Sequence, residues 1–310
     1  MRMARYDIAL EKLSSVPTWF AKWPAVAALQ EKARLGIKFN TPPQDWEALD
    51  NDLRRLRTVA PDDVDLRVFD ATMVLRQNNS DEAQKILTPA VAADPNNAEA
   101  WYLLGYIQDL AGHVQEAMDY YQKAVVAAPE SPQYRSNWAR ALLDTGKIDD
   151  AITEYDKIAQ FPLARIEQAL AYWSQGKFAE AAGAQGNAVQ MLENDTLMTN
   201  FNNRRLWWFE LPNNNNVRLP TTNEKLCYAL LAESASLTLA QDRATTFPPD
   251  KCSKPPSHIR ELLADNLCRY VDLRQPQFAA RAAELREIMG QPKICPAAPQ
   301  PKNATVGKTS

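Results

Sequence analysis

Cysteine side chains are the first place to look for chemistry, because they supply nucleophiles, metal ligands and disulfides. The chain has four, Cys227, Cys252, Cys268 and Cys295, all in its last third. An even number in one region, beside the proline-rich connection 245–256, fits one or two disulfides and an oxidising compartment. Cys227 and Cys268 lie in predicted helices, where they could instead be small buried apolar residues. The pattern leaves disulfide and free thiol open.

Motifs for catalysis or metal binding are missing from the sequence. It has no Cys-x-x-Cys pair, which argues against a zinc ribbon or a thioredoxin-type site. It has two histidines, His113 and His258, and no His-Glu-x-x-His motif, nucleophile elbow, P-loop or dinucleotide-binding glycine motif. We therefore expect no catalytic residue, no cofactor and no metal. The alternative is an enzyme in the C-terminal region, built around Cys252 and His258.

Composition and charge narrow the class of protein. The 310 residues are 45% hydrophobic and 24% charged, which is ordinary for one large or two average globular domains. A net charge of −3 argues against a broadly basic nucleic-acid binder. No stretch approaches the length of apolar sequence that a transmembrane helix needs. Asp7, Glu11 and Lys12 interrupt the N-terminal stretch, so it does not resemble a signal peptide. The expected location is the cytoplasm; a periplasmic or exported protein whose leader was removed is the alternative that the cysteines favour.

The elements that must position any functional side chain are helices in a repeated pattern. The clearest copy is AEAWYLLGYIQDLAGHVQEAMDYYQKAVVAAP, residues 98–129. It starts with Trp-x-x-Leu-Gly at 101–105 and continues with Gly112, Ala117, Tyr121, Ala124 and Pro129. Three more copies are in register, one 34 residues earlier, one 34 residues later and one 30 residues beyond that. They carry Ala71, Ala139 and Ala169 where the first copy has Gly105, and Asn78, Gly146 and Gly176 where it has Gly112.

This pattern resembles the tetratricopeptide repeat, in which each copy is a helix hairpin. One departure is Gln108, which stands where the family has a tyrosine. The resemblance covers about residues 64–194, and 23–61 weakly as a degenerate repeat. It implies an all-α solenoid, a right-handed superhelix of helix hairpins. Gly105 is then expected where two helices touch, and Gly112 and its equivalents at hairpin turns with positive φ.

The predicted organisation has five segments. They are an N-terminal helical cap with the degenerate repeat (1–63), the repeat array (64–195), a hairpin or capping segment rich in aromatic residues and Asn (196–221), a C-terminal helical extension (222–290) and a disordered tail (291–310).

The aromatic sequence RRLWWFEL at 204–211 interrupts the helical pattern. It is followed by PNNNN and VRLP, and Pro and Asn are turn residues, so a short extended hairpin is predicted. Trp207 and Trp208 are expected to cover the end of the array, which would otherwise expose an apolar face. The alternative is an exposed aromatic platform that binds a peptide or single-stranded nucleic acid.

The resemblance implies a non-catalytic protein–protein interaction scaffold or adaptor. In this family the first helix of each repeat lines a concave groove that takes a peptide segment of a partner. Carried over position by position, the partner-binding residues are Arg76, Tyr102, Tyr106, Asp109, Arg140, Asp144 and Trp173. The carboxylate clamp of the chaperone-binding members is not matched. Its positions hold Val68, Thr72, Leu103, Gln133 and Asn137, of which only Asn137 is of a clamp type.

The expected partner is a protein segment, in the assembly of a larger complex, and no nucleic acid. The oligomeric state is left open. The alternative function is one carried by the C-terminal region, either enzymatic or a disulfide-stabilised role in secretion or envelope assembly.

Overall fold

The structure, a computed structural model, is built from helices and the turns between them. It describes residues 2–17, 23–40, 45–194, 222–240, 252, 255–271, 278, 281 and 284–285. These residues contain thirteen helices and no strand, so the all-α prediction is confirmed. The helices are α1 (Arg2–Ser14), α2 (Pro24–Asn40), α3 (Trp46–Val59), α4 (Val64–Arg76), α5 (Ser80–Ala93), α6 (Ala98–Leu110), α7 (Val114–Ala127), α8 (Pro132–Asp144), α9 (Ile148–Asp156), α10 (Pro162–Ser174), α11 (Phe178–Glu193), α12 (Thr222–Ala240) and α13 (Ser257–Tyr270).

The four hairpin turns between first and second helices have one geometry. Asn78, Gly112, Gly146 and Gly176 have φ of 61°, 78°, 81° and 69°, as predicted. In each turn the next residue donates its backbone N–H to the carbonyl five residues back, for example His113 to Gln108 at 2.9 Å. This bond closes the first helix in a Schellman motif, which needs a residue that tolerates positive φ. The pairs α4–α5, α6–α7, α8–α9 and α10–α11 are therefore the four predicted hairpins.

Short polar side chains begin the first helices of three repeats. Asp63, Asn97 and Ser131 each accept a hydrogen bond from the backbone N–H three residues further on, at N···O distances of 3.2, 3.1 and 3.5 Å. Such N-caps satisfy backbone donors that have no partner inside the helix. Residues close in sequence thus specify both the start and the end of these helices.

Small residues allow the two helices of a hairpin to approach. A Cβ atom added to Gly105 on α6 would lie 2.7 Å from the ring of Tyr121 on α7. The corresponding residues of the other copies, Ala71, Ala139 and Ala169, are fully buried. The predicted position of Gly105 at a helix–helix contact is confirmed.

Helices also occupy the N-terminal stretch with the weak resemblance. The stretch 23–61, predicted as a degenerate repeat, holds α2 and α3, and α1 precedes them. Tyr6 of α1 packs on Gly36 of α2, where an added Cβ would lie 2.4 Å from its ring.

By its contacts the chain divides into two compact units. Unit 1 holds the described residues up to Glu167 together with 191–194, and unit 2 holds 168–190 and the described residues from Thr222 onward. In unit 2, Cys227 of α12 is disulfide-bonded to Cys252, with Cα atoms 5.2 Å apart. The Asn266 side chain of α13 donates to the Tyr228 hydroxyl of α12 at 2.8 Å.

Several predictions fall outside the described residues or are not tested. The aromatic segment at 204–211 and the tail 291–310 lie outside them. The handedness of the superhelix and the five-segment division stay predictions.

Candidate interaction face

The first helices of successive repeats are joined by polar side chains. Asn97 at the start of α6 donates to Asp65 of α4 at 3.2 Å. Tyr134 of α8 donates its hydroxyl to Glu99 of α6 at 2.7 Å. Ser136 of α8 donates to Glu167 of α10. These bonds place α4, α6, α8 and the start of α10 side by side. We call the surface that carries Tyr102, Tyr106, Asp109, Arg140 and Asp144 the first-helix face.

Three tyrosines of α6 and α7 form a group that we call the tyrosine cluster: Tyr102, Tyr106 and Tyr121. The ring centroids of Tyr102 and Tyr121 are 5.9 Å apart, and Tyr102 also lies 5.3 Å from the ring of Tyr134 on α8. Tyr121 is buried, whereas Tyr102 and Tyr106 are half-buried. The structure thus brings together two predicted site residues, Tyr102 and Tyr106, next to the rings of Tyr121 and Tyr134.

The exposed carboxylate of Asp109 lies beside this cluster. The Tyr121 hydroxyl donates to Asp109 Oδ2 at 3.5 Å. Burial, and then the charge of Asp109, raises the pKa of Tyr121, and burial likewise raises the pKa of Tyr106 with smaller effects from Tyr102 and Asp109. Both hydroxyls therefore remain protonated donors. Within the described part of the chain, the buried Tyr106 hydroxyl has no hydrogen-bond partner.

Arg140 and Asp144 belong to a second polar group, centred on Glu167. Arg140 Nη1 lies 3.4 Å from Glu167 Oε1, and its Nε lies 3.8 Å from Asp144 Oδ2. Glu167 is 2% exposed. Burial raises the pKa of Glu167 to about 7, although Arg140 and the hydrogen bond from Ser136 both act to lower it. Arg140 is therefore committed to carboxylates of its own chain and ties α8 to α10.

Arg76 is also engaged within the chain. Its guanidinium carbon lies 3.4 Å from the centroid of the Trp46 ring on α3, a cation–π contact. Arg76 is half-buried, at the last residue of α4. The cationic side chains predicted for the site thus have structural partners.

The structure corrects the expectation for Trp173. This residue is 1% exposed, and its indole N–H donates to Ser236 of α12 at 2.7 Å. Ser236 in turn donates to Gln185 of α11 at 2.6 Å. The repeat motif cannot reveal this enclosure, because Ser236 lies far along the chain in a region without the motif. Trp173 is a core residue of unit 2 and is not part of the first-helix face.

Sequence reasoning did not single out Glu167, Tyr121 or Tyr134 for the site. Tyr121 was visible only as a repeat-motif residue. Glu167 did leave a signal, since it is the only carboxylate of α10, PLARIEQALAYWS. A charged residue in such a position demands a partner when it is buried.

The alternative catalytic site around Cys252 and His258 has other bonding in this structure. Cys252 is disulfide-bonded to Cys227, so it offers no thiolate. His258 Nε2 lies 3.1 Å from Glu224 Oε1. Among the described residues no group of three or more His, Cys, Asp or Glu could hold a metal ion. None of the described helices is both long and apolar enough to pass through a membrane.

A family model for the tetratricopeptide repeat matches residues 72–132 and 136–195. These stretches are tetratricopeptide repeats. The match begins inside α4 and ends just after α11, so it covers the four hairpins whose turns share one backbone geometry. Tetratricopeptide repeats are modules of protein interaction, and a scaffold role is the coarse function that this part of the chain supports.

The relatives found by sequence are similar to part of this chain. Protein FlbA of Caulobacter vibrioides is 24% identical over 160 residues, which are 52% of this chain and 26% of FlbA. Superkiller complex protein 3 of Homo sapiens is 30% identical over 132 residues, 39% of this chain and 8% of that protein. The chain therefore spans a small part of the length of these relatives.

Two of the solved structures to which this chain is similar are those of PilF and YrrB. PilF of Pseudomonas aeruginosa has a TM-score of 0.48 at 14% identity, covering 90% of this chain and 99% of PilF. YrrB, described as a tetratricopeptide-repeat protein with an unusual peptide-binding site, has a TM-score of 0.46 at 13% identity, covering 75% of this chain and 98% of YrrB.

Proposed function

We propose that the tetratricopeptide array is a non-catalytic scaffold that holds an extended segment of a partner protein on the first-helix face. The observation that carries the proposal is the tyrosine cluster beside Asp109. Half-buried Tyr102 and Tyr106 can bury further aromatic surface against a ligand.

The two arginines of the predicted site are poor choices for testing this proposal. Replacing Arg140 by Ala would leave the buried Glu167 without its cation and would disturb the contact of α8 with α10. Replacing Arg76 would remove the cation–π contact with Trp46. A loss of binding in either variant would confuse recognition with folding. Tyr106 is the better position, because no hydrogen bond of its hydroxyl within the described structure is lost.

The test is selection of short random peptides displayed on phage against the full chain. Peptides that bind wild type should bind Tyr106→Ala at least about tenfold more weakly, a loss of roughly 1.4 kcal/mol. The matched control is Tyr120→Ala, because Tyr120 is a half-buried tyrosine of α7 that stacks on Trp101, with ring centroids 5.8 Å apart, and is not one of the predicted partner-binding residues. Circular dichroism checks that both variants remain folded. Selected peptides that bind wild type and Tyr106→Ala equally, or no selected peptide at all, would contradict the proposal.

We also propose that the protein acts in an oxidising compartment, with the periplasm or the exterior favoured over the cytoplasm. The disulfide between Cys227 and Cys252 supports this, because such bonds are rare in reducing compartments. It also favours a role in secretion or envelope assembly for the scaffold. Alkylation of free thiols in intact cells of the source organism, followed by mass spectrometry, should recover the two cysteines as a linked pair. Recovery of both as alkylated thiols would place the protein in the cytoplasm.

A further inference from the structure

The tyrosine cluster presents aromatic faces that are held in place. Tyr102 is fixed by the rings of Tyr121 and Tyr134, at 5.9 and 5.3 Å between centroids. Tyr106 lies one helical turn further along α6, so its side chain neighbours that of Tyr102. Aromatic faces attract ammonium and guanidinium groups, most strongly where water is partly excluded. A ligand cation would meet rings whose orientation needs little further ordering.

Negative charge accompanies the aromatic faces. Asp109 follows Tyr106 by three residues on the same helix, is exposed, and lies at hydrogen-bond distance from the Tyr121 hydroxyl. On the neighbouring α8 and α10, Arg140 faces two carboxylates, those of Asp144 and Glu167. The charge of this arginine is therefore already compensated. Among the charged residues that define the first-helix face, the two carboxylates Asp109 and Asp144 outnumber the one cation, Arg140.

The same arrangement disfavours an acidic ligand. All five positions of the family's carboxylate clamp carry uncharged side chains, among them Val68, Thr72 and Leu103. Arg140 is already paired with the buried Glu167 and with Asp144, so a ligand carboxylate would compete with these two groups. An acidic peptide would also lie close to Asp109, and like charges repel at such distances.

We infer that the partner segment carries a lysine or arginine side chain, which the first-helix face receives against the rings of Tyr102 and Tyr106 with its charge facing the Asp109 carboxylate. This inference rests on the proposed function and names the chemistry of the segment. The stem of the basic side chain would cover the half-buried rings, while its head would stay close to Asp109 and to water.

The probe is Nα-acetyl-arginine amide, titrated into the full chain with ring-labelled tyrosine and followed by NMR. Tyr106→Phe and Tyr102→Phe assign the two resonances. Nα-acetyl-citrulline amide is the matched probe, because it has nearly the same shape and no charge. The arginine probe should shift both resonances and bind at least about fivefold more tightly than citrulline, and added salt should weaken it. Nα-acetyl-glutamate amide should leave both resonances in place.

Variants of Asp109 then test whether its carboxylate attracts the cationic probe. Asp109→Asn should weaken the arginine probe about fivefold and leave citrulline unchanged. Asp119→Asn is the control, because Asp119 is an exposed aspartate of the adjacent helix α7 and should leave both probes unchanged. Equal affinity of arginine and citrulline, an arginine probe that shifts neither tyrosine, or an unaffected Asp109→Asn variant would each overturn the inference.

The two proposals fail in different ways. If selected peptides depend on Tyr106 but show no excess of Lys and Arg, the interaction face stands and the inference about its ligand is wrong. If no selected peptide depends on Tyr106, the proposed function fails and the inference fails with it.

Discussion

Ser136 on α8 donates its hydroxyl to the carboxyl group of Glu167 on α10, and both residues are buried. The bond joins the first helices of two successive tetratricopeptide repeats. It also fixes a carboxyl group that water would otherwise solvate, beside Arg140 at 3.4 Å. Burial raises the pKa of Glu167 by more than Ser136 and Arg140 lower it, so the pKa is about 7. The free energy of unfolding should therefore depend on pH in a range where most carboxylates do not titrate.

The first prediction is that Glu167 makes the protein less stable as pH rises. Its folded-state pKa of about 7 lies above the ordinary glutamate pKa of 4.5, so the folded state binds the proton more tightly than the unfolded state. The stabilisation is complete below about pH 4.5 and is lost as pH rises through about 7. At one pKa unit per 1.36 kcal/mol, the loss is about 3 kcal/mol. Glu167→Gln should flatten this slope in urea unfolding measured between pH 5 and 8.

The control for that measurement is Glu116→Gln. Glu116 is an exposed glutamate on α7, and its replacement removes the same charge without touching the buried group. Parallel pH profiles for wild type and Glu167→Gln would show that Glu167 does not carry the effect.

The second prediction concerns the helix contact at Gly105. A Cβ atom there would lie 2.7 Å from the Tyr121 ring, and Tyr121 is itself buried. Gly105→Ala should lower the free energy of unfolding by about 1–3 kcal/mol through overpacking, and Gly105→Leu by more. Gly183→Ala on α11 is the control, since nothing lies within 4 Å of its added Cβ. This control should be neutral or gain up to about 1 kcal/mol from helix propensity. Equal denaturation midpoints for the two alanine variants would contradict the packing.

The third prediction separates the core role of Trp173 from partner binding. Ser236→Ala removes the acceptor of the buried indole N–H and should cost about 1–3 kcal/mol. Trp173→Phe removes the donor instead and should also destabilise unit 2. Peptides that bind through Tyr106 should bind both variants with wild-type affinity. If Trp173→Phe leaves stability unchanged but abolishes binding of those peptides, Trp173 contacts the partner and the prediction is wrong.

The fourth prediction concerns the disulfide of unit 2. Cys227 and Cys252 are 25 residues apart, and a cross-link of that span restricts the unfolded chain by about 3 kcal/mol. Replacing both cysteines by Ser should lower the denaturation midpoint. The oxidised wild type should move towards the same midpoint when a reductant is added. A midpoint that neither change affects would show that the bond does not stabilise the fold.

Local sequence determined most of the repeat architecture. Asn78, Gly112 and the equivalent glycines stand where the chain must adopt positive φ, a demand that few other residues meet cheaply. Asp63, Asn97 and Ser131 cap helices through backbone groups three residues away. Because such interactions lie within one or two turns of the chain, they can be read without knowing what packs against the helix.

Tertiary structure decided which side chains of the first helices face a partner and which face the chain itself. The repeat register predicted one role for Tyr106, Arg140 and Trp173. Arg140 is paired with Glu167, and Trp173 is bonded to Ser236, 63 residues further along the chain. Burial and pairing depend on segments that are distant in sequence, and no periodic pattern records which of them will come together. The hairpins follow from the sequence by itself, whereas the chemistry of the first-helix face exists only once the helices are packed.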